Sequence, residues 1–301
     1  MMTTDAETAF NAYLSVRHRL PNATFGTSWT VAPSLENIAE AFDLILLDAY
    51  GVLNVGETPI EGAVERIAAL RVAGKRVMVV SNSAGYPKAR MMQRYARLGF
   101  DFTPSEVVTS REALLAHLAD VPTRRWGMML NVSNGTDDLN GIDAHVLADD
   151  PAAYDAAEGI LLVGSDGWTD ARQDMLENSL RKNPRPVIVG NPDIVAPREG
   201  GLSREPGYFA HRLADVTGIE PRFLGKPFGE IYDLALARHD PPPPPARVLM
   251  VGDTLHTDVL GGRHMEFATA LVMNHGLLAG MDADTAVHRS GIAPDFVIGQ
   301  I

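Results

Sequence analysis

The sequence predicts an α/β protein: a parallel-sheet core into which a second, smaller α/β module is inserted. Short apolar runs alternate with segments of helical spacing, the pattern of βαβ units. The same alternation returns late in the chain. In between, from about 121 to 203, the texture changes and the chain has its own strands and helix. The expected division is an N-terminal extension over 1–40, a core built from 41–120 and 204–301, and an inserted module over 121–203.

Taken in order, residues 7–16 have helical spacing, and the stretch between Pro21 and Pro33 breaks regularity before Ser34 caps a helix running to Phe42. Residues 42–47 form a short apolar run that ends at Asp48. Residues 63–73 read as a helix stopped by Gly74, and 76–80 as an apolar strand delivering Ser81-Asn82-Ser83. A helix over 88–98 closed by Gly99, a strand over 106–109 and a helix over 112–119 complete the first half of the core. Within the insertion, 126–132, 159–163 and 187–189 are expected strands and 170–182 a helix. The core resumes with helices at 207–216 and 231–238 and strands at 247–251 and 269–273, the first of which ends at Gly252-Asp253. Five prolines over 241–245 read as a stiff connector.

Composition narrows the function. The chain has 301 residues and no Cys, which excludes disulfides, thiolate metal sites and a cysteine nucleophile. Its 38 acidic residues against 26 basic ones give a net charge of −12, a surface that repels nucleic acid and anionic membranes. The first ten residues carry Asp5 and Glu7 without an apolar signal-like stretch, and no apolar run has bilayer length. A soluble, cytoplasmic protein is expected.

In open parallel sheets, ligands bind at the carboxyl ends of the strands. Here those ends carry Asp48, Ser81 and Asp253, with Asp258 five residues further on. Carboxylates gathered at one edge suit a hard divalent cation such as Mg²⁺. Lys226, in Gly225-Lys226-Pro227, brings a positive charge to the same edge. Each residue alone has an ordinary reading: Asp after a strand is a common turn former or helix cap. Their joint order is what points to chemistry.

Asp48-Ala49-Tyr50-Gly51-Val52-Leu53, Ser81-Asn82-Ser83, Lys226 and the run from Gly252-Asp253 to Asp258 resemble the four motifs of the haloacid dehalogenase superfamily. Pro59-Ile60-Glu61-Gly62-Ala63, Asn191-Pro192-Asp193 and Gly225-Lys226-Pro227 are similar to its NagD-like, class IIA branch, and the resemblance covers about residues 41–301. It implies a Rossmann-like core with a C2-type cap between the second and third motifs, and a Mg²⁺-dependent phosphatase of small phosphorylated metabolites. Asp48 is then the nucleophile that forms an aspartyl-phosphate. The resemblance assigns Mg²⁺ to Asp48, the carbonyl of Tyr50 and Asp253, with Asp258 beside them. Ser81 and the amide of Asn82 would hydrogen-bond phosphate oxygens, and Lys226 would balance their charge. Asn191 and Asp193 stand either at the mouth of cap and core, touching substrate, or in a plain Asn-Pro-Asp turn. A homodimer through the cap is a further implication.

One position departs from the family pattern. Tyr50 stands where most family phosphatases have a second Asp as acid and base, a loss typically worth about 10²–10⁴-fold in rate. Three readings follow: a slow or specialised phosphatase with His256 or Asn54 as helper, a catalytically silent protein that binds a phosphorylated ligand, or a 2-haloacid dehalogenase. Dehalogenases share the Asp-x-Tyr-Gly start, but the retained metal motif and the position of the cap argue against them. Arg198, Arg204 and Lys88 are further charged candidates near the site loops, Gly164–Gly167 is read as a turn, and Trp126 and Trp168 as core residues.

Overall fold

The computed structural model describes residues 5–198 and 201–301. The apolar runs form a seven-stranded sheet in the order Thr30–Ser34, Phe296–Gln300, Ala268–Val272, Val248–Gly252, Leu44–Leu47, Arg76–Ser81, Val107–Thr109. Every pairing in it is parallel. Leu44–Leu47 and Val248–Gly252 are buried at every position, as strands covered on both faces must be. From Leu44–Leu47 the chain steps outward through Arg76–Ser81 to Val107–Thr109, and later returns on the other side at Val248–Gly252. Strand order therefore reverses between Leu44–Leu47 and Val248–Gly252. The crevice at their carboxyl ends is where Asp48 and Asp253 emerge.

Local chemistry sets the helix starts around this sheet. Thr109 ends a strand and begins the Ser110–Asp120 helix, its hydroxyl accepting the Glu112 N–H while the Glu112 carboxylate accepts the Thr109 N–H.

The insertion builds a second parallel sheet in the order Arg222–Phe223, Val187–Val189, Gly159–Leu162, Trp126–Met129, Ala144–Val146. Its residues Trp126, Met128, Leu161 and Val163 share one buried cluster with Leu46, Val80 and Leu224 of the core, so the two sheets are packed through a common apolar layer. An antiparallel hairpin, Val195–Arg198 with Gly201–Arg204, leaves the second sheet for the crevice.

Several expectations change. The insertion was expected to end at 203, yet Phe209 and Leu213 of the Pro206–Thr217 helix pack with Ile160 and Val189, and Arg222–Phe223 pairs with Val187–Val189. A two-residue strand carries no periodicity to read. The expected helix from Ser34 is instead two 3₁₀ turns, Leu35–Asn37 and Ala39–Ala41, and Thr30–Ser34 is a strand. Pro33 disguises that strand, and a residue without an N–H is tolerated there because the strand lies at the sheet edge. The first 40 residues are thus part of the core: the Ala6–Ser15 helix buries Phe10 and Tyr13 against Leu255, Leu260 and Leu278. The Ala283–Ser290 helix and the Ala144–Val146 and Phe296–Gln300 strands lie where no element is expected. Among the described residues, no helix is long and apolar enough to cross a membrane.

Candidate active site

Asp48 leaves the Leu44–Leu47 strand, and Asp253 leaves Val248–Gly252. Asp258 sits on the single π-helical turn Leu255–Val259 that follows. The three carboxylates offer oxygens within 4.8 Å of one another. Lys226 Nζ stands 2.6 Å from Asp48 Oδ1 and 2.7 Å from Asp258 Oδ1. The Leu277 N–H donates to Asp253 Oδ2 at 2.8 Å and the Thr254 hydroxyl to Oδ1 at 2.9 Å, while the Thr254 N–H donates to Asp258 Oδ2 at 3.1 Å.

Two glycines let the loops close on Asp253. Gly51 (φ +79°) and Gly276 (φ +88°) both adopt backbone conformations that favour glycine, and a Cβ on either would lie 2.6 Å and 1.8 Å from Asp253 Oδ2. Gly276 escapes the sequence reading. Its only signal is a glycine in a short polar loop.

Three carboxylates facing one ammonium leave an excess of negative charge in a buried place. Burial, then the neighbouring Asp48 and Asp258, holds Asp253 well above the usual carboxylate range. Asp258 is pushed up to about 6, chiefly by burial and against the pull of Lys226. Burial draws Lys226 down, but Asp258 and Asp48 outweigh it and raise its value. An all-oxygen donor set with surplus negative charge fits a hard dication such as Mg²⁺.

The remaining sequence candidates separate. A cavity of about 360 Å³ is lined by Asp48, Tyr50, Ser81, Asp193, Asp253 and Arg198, among others. Ser81 is buried, and its hydroxyl oxygen accepts the Ser83 N–H at 3.3 Å. The Asn82 side chain pairs reciprocally with the Lys226 backbone, accepting its N–H at 2.7 Å and donating to its carbonyl at 2.9 Å, and also donates to Asp193 at 2.8 Å. That carboxamide therefore holds Lys226 in place and is already engaged on both its oxygen and its nitrogen. Asn191 accepts the Asp193 N–H at 2.9 Å, closing the Asn-Pro-Asp turn, and donates to Glu205 at 3.2 Å. Asp193 is pushed up to about 8 by burial and by Asp48, with Lys226 opposing.

The two expected helpers are elsewhere. His256 has no exposure and stacks on Tyr13 at 5.2 Å, and burial pushes it down to about 3. Asn54 is also wholly buried and donates to the Gly56 carbonyl at 2.9 Å. Neither lines the cavity. Lys88 is likewise absent from it, engaged by the Val107 carbonyl and Glu112 at 2.7 and 2.8 Å. Gly164 and Arg204 do line it. Trp126 is buried, and Trp168 packs in the second sheet's cluster with its indole N–H on Gln173.

Arg198 reaches the core from the hairpin. Its Nη1 donates to the Tyr50 hydroxyl at 3.0 Å, Nη2 to Glu205 at 2.9 Å and Nε to the Ser203 hydroxyl at 3.0 Å. Glu205, which the sequence reading does not single out, thus anchors both Arg198 and Asn191.

Residues 45–139 match the haloacid dehalogenase-like hydrolase family, and residues 223–301 match the HAD-hydrolase-like family. The chain is 29% identical over 252 residues to a D-glycerol 3-phosphate phosphatase from Mycobacterium tuberculosis, covering 83% of this chain and 67% of that protein. Its fold matches the crystal structure of a possible sugar phosphatase from Cytophaga hutchinsonii with a TM-score of 0.78 and 24% identity, over 91% of this chain and 98% of the other. It also matches a glycerol phosphate phosphatase from Mycobacterium tuberculosis in complex with magnesium, with a TM-score of 0.68 and 24% identity, over 87% and 76% of the two chains.

Proposed function

We propose that this chain, which belongs to the haloacid dehalogenase-like hydrolase superfamily, hydrolyses small phosphate monoesters with Asp48 as nucleophile. The observation that carries this reading is a difference in access within the acidic cluster. Asp258 is 1% exposed and lies off the cavity and Asp253, on the cavity wall, is 3% exposed, whereas the Asp48 side chain on the same wall is 14% exposed. A nucleophile must meet its substrate, and the other two carboxylates need not.

In this reading an Asp48 oxygen attacks phosphorus in line with the departing alcohol. The bond to the alcohol breaks, its electron pair leaves on the alcohol oxygen, which takes up a proton from solvent, and an aspartyl-phosphate forms. Water then attacks that phosphorus and gives a proton back to solvent, returning the carboxylate and releasing inorganic phosphate. Lys226 holds Asp48 by an ion pair and offsets the negative charge that gathers as phosphate enters. The Ser81 hydroxyl and the Asn82 main chain bind phosphate oxygens. Asp48, the Tyr50 carbonyl and Asp253, with Asp258 beside them, would hold Mg²⁺. When bound, the dication neutralises phosphate charge and fixes the line of attack.

The substrate class follows from size and polarity. A cavity of about 360 Å³ whose mixed wall includes Ser, Asn, Asp and Arg side chains suits a small, hydroxylated ester. The glycerol phosphate and sugar phosphate activities named for similar proteins support that class.

The test is turnover of 4-nitrophenyl phosphate and glycerol phosphate with Mg²⁺. Activity is expected to vanish in Asp48→Asn and on chelation with EDTA. Activity on 2-haloacids that persists in EDTA overturns the reading in favour of a dehalogenase.

A further inference from the structure

Tyr50 occupies the position at which an acid is expected, and its surroundings differ from those of an ordinary buried tyrosine. The guanidinium carbons of Arg94 and Arg198 lie 4.7 Å and 4.9 Å from its ring centre. A guanidinium has only donors, so the Tyr50 oxygen must accept the 3.0 Å hydrogen bond from Arg198 Nη1. Among the described residues, the hydroxyl has no protein acceptor for its own hydrogen. That hydrogen is left for an acceptor in the cavity, which Tyr50 and Asp48 line together.

Arg198 is held firmly enough to impose this polarity. Glu205 takes Nη2 at 2.9 Å and Ser203 takes Nε at 3.0 Å, and the Ser203 hydroxyl donates to the same Glu205 oxygen at 2.6 Å. Asn191 secures the other Glu205 oxygen at 3.2 Å. Burial alone would weaken the charge on Arg198, but the Glu205 carboxylate beside it outweighs that and keeps the guanidinium ionised. A cation fixed against the acceptor side of a hydroxyl strengthens that hydroxyl as a donor, because the two hydrogen bonds polarise one another.

We propose that the Tyr50 hydroxyl donates a hydrogen bond to the leaving oxygen of the phosphate ester, with Arg198 as the positioning residue that orients and polarises it. The assignment rests on the phosphatase reading above. As the phosphorus–oxygen bond breaks, its electron pair collects on the alcohol oxygen, and a donor aimed there stabilises that charge until the oxygen takes a proton from solvent and leaves as the alcohol. The demand is largest for an unactivated alcohol and smallest for nitrophenolate, which spreads the charge over its ring. This dependence separates a leaving-group donor from a residue that merely shapes the site.

The experiment compares glycerol phosphate with 4-nitrophenyl phosphate as substrates for Tyr50→Phe, Arg198→Gln and Arg198→Lys in the presence of Mg²⁺. Tyr50→Phe keeps the ring between its neighbours and removes only the hydroxyl. It is expected to lower kcat on glycerol phosphate by about 10²-fold, with a loss on 4-nitrophenyl phosphate at least about tenfold smaller and KM little changed. Arg198→Gln is expected to repeat the pattern. Arg198→Lys keeps the charge but cannot hold Ser203, Glu205 and Tyr50 together, so it recovers only part of the loss. Equal losses on both esters, or none on either, overturn the assignment while leaving the phosphatase reading intact. If the wild-type protein hydrolyses neither ester, that reading fails and takes the assignment with it.

Discussion

Lys226 and Asp258 are joined at 2.7 Å with side chains only 2% and 1% exposed, the most deeply buried ion pair near the cavity. A pair so far from water gains little over an apolar replacement of both partners, but losing one partner strands the other, typically at about 3–5 kcal/mol. In Lys226→Met, Asp48 and Asp258 lose a shared cation at once. The expected result is a fall in kcat/KM on 4-nitrophenyl phosphate of about 10²–10³-fold together with a lower urea midpoint. A variant as active as the wild type would remove Lys226 from the chemistry.

Asp253 is gripped by backbone on two sides, and this predicts the effect of one methyl group. A Cβ at Gly276 would stand 1.8 Å from Asp253 Oδ2, on a residue whose φ of +88° already disfavours a side chain. Gly276→Ala must displace the carboxylate. If Asp253 helps to hold Mg²⁺, the wild-type protein gains about 2.7 kcal/mol of stability at a hundredfold excess of Mg²⁺ over its dissociation constant. The variant is expected to lose most of that gain. Thermal melts with and without Mg²⁺ measure it, and an equal shift in both proteins argues against the role given to Asp253.

His211 makes stability fall in mild acid. It is 4% exposed, stacks on Phe223 at 4.8 Å, and is pushed down from 6.5 to about 4, mainly by burial and then by Arg19. Between those values the unfolded chain binds a proton that the folded protein refuses. Stability from this group is therefore fully present above about pH 6.5 and is lost as pH falls toward 4, a change of up to about 3 kcal/mol. In His211→Phe, the melting temperature is expected to drop less steeply over that interval. Parallel slopes for the two proteins would show that some other group carries the acid sensitivity.

What could be read from the chain follows from distance along it. Asp48, Ser81 and Asp253 each end an apolar strand, so the run that buries the strand also announces the residue at its edge. Lys226 is legible only through the company it keeps, since Gly-Lys-Pro alone is an ordinary loop. Arg198 is 148 residues from Tyr50, and neither flanking sequence hints at the other. His256 is misread for a related reason. It lies inside the motif that carries Asp253 and Asp258, yet it turns toward Phe10 and Tyr13 of the Ala6–Ser15 helix. The end of the insertion is obscured by the brevity of Arg222–Phe223, a strand defined by its partner and not by its own pattern.

The same helix supplies the last prediction. Tyr13 is 3% exposed; its ring stacks on His256 at 5.2 Å and 15°, and its hydroxyl oxygen accepts the Ile194 N–H at 3.0 Å. One side chain thus ties the first helix both to the loop bearing Asp253 and Asp258 and to the turn bearing Asn191 and Asp193. Tyr13→Phe keeps the stack and leaves the Ile194 N–H without its acceptor in a buried place, which is expected to cost about 1–3 kcal/mol. Tyr13→Ala also empties the space beside Phe10 and His256, raising the cost to about 3–5 kcal/mol. Because the freed turn carries Asp193 at the cavity wall, Tyr13→Phe should also raise KM. Urea titrations and steady-state kinetics on the two variants check both effects. A Tyr13→Phe protein with wild-type stability and KM would mean that the hydroxyl does not hold the turn, leaving the helix bound by packing alone.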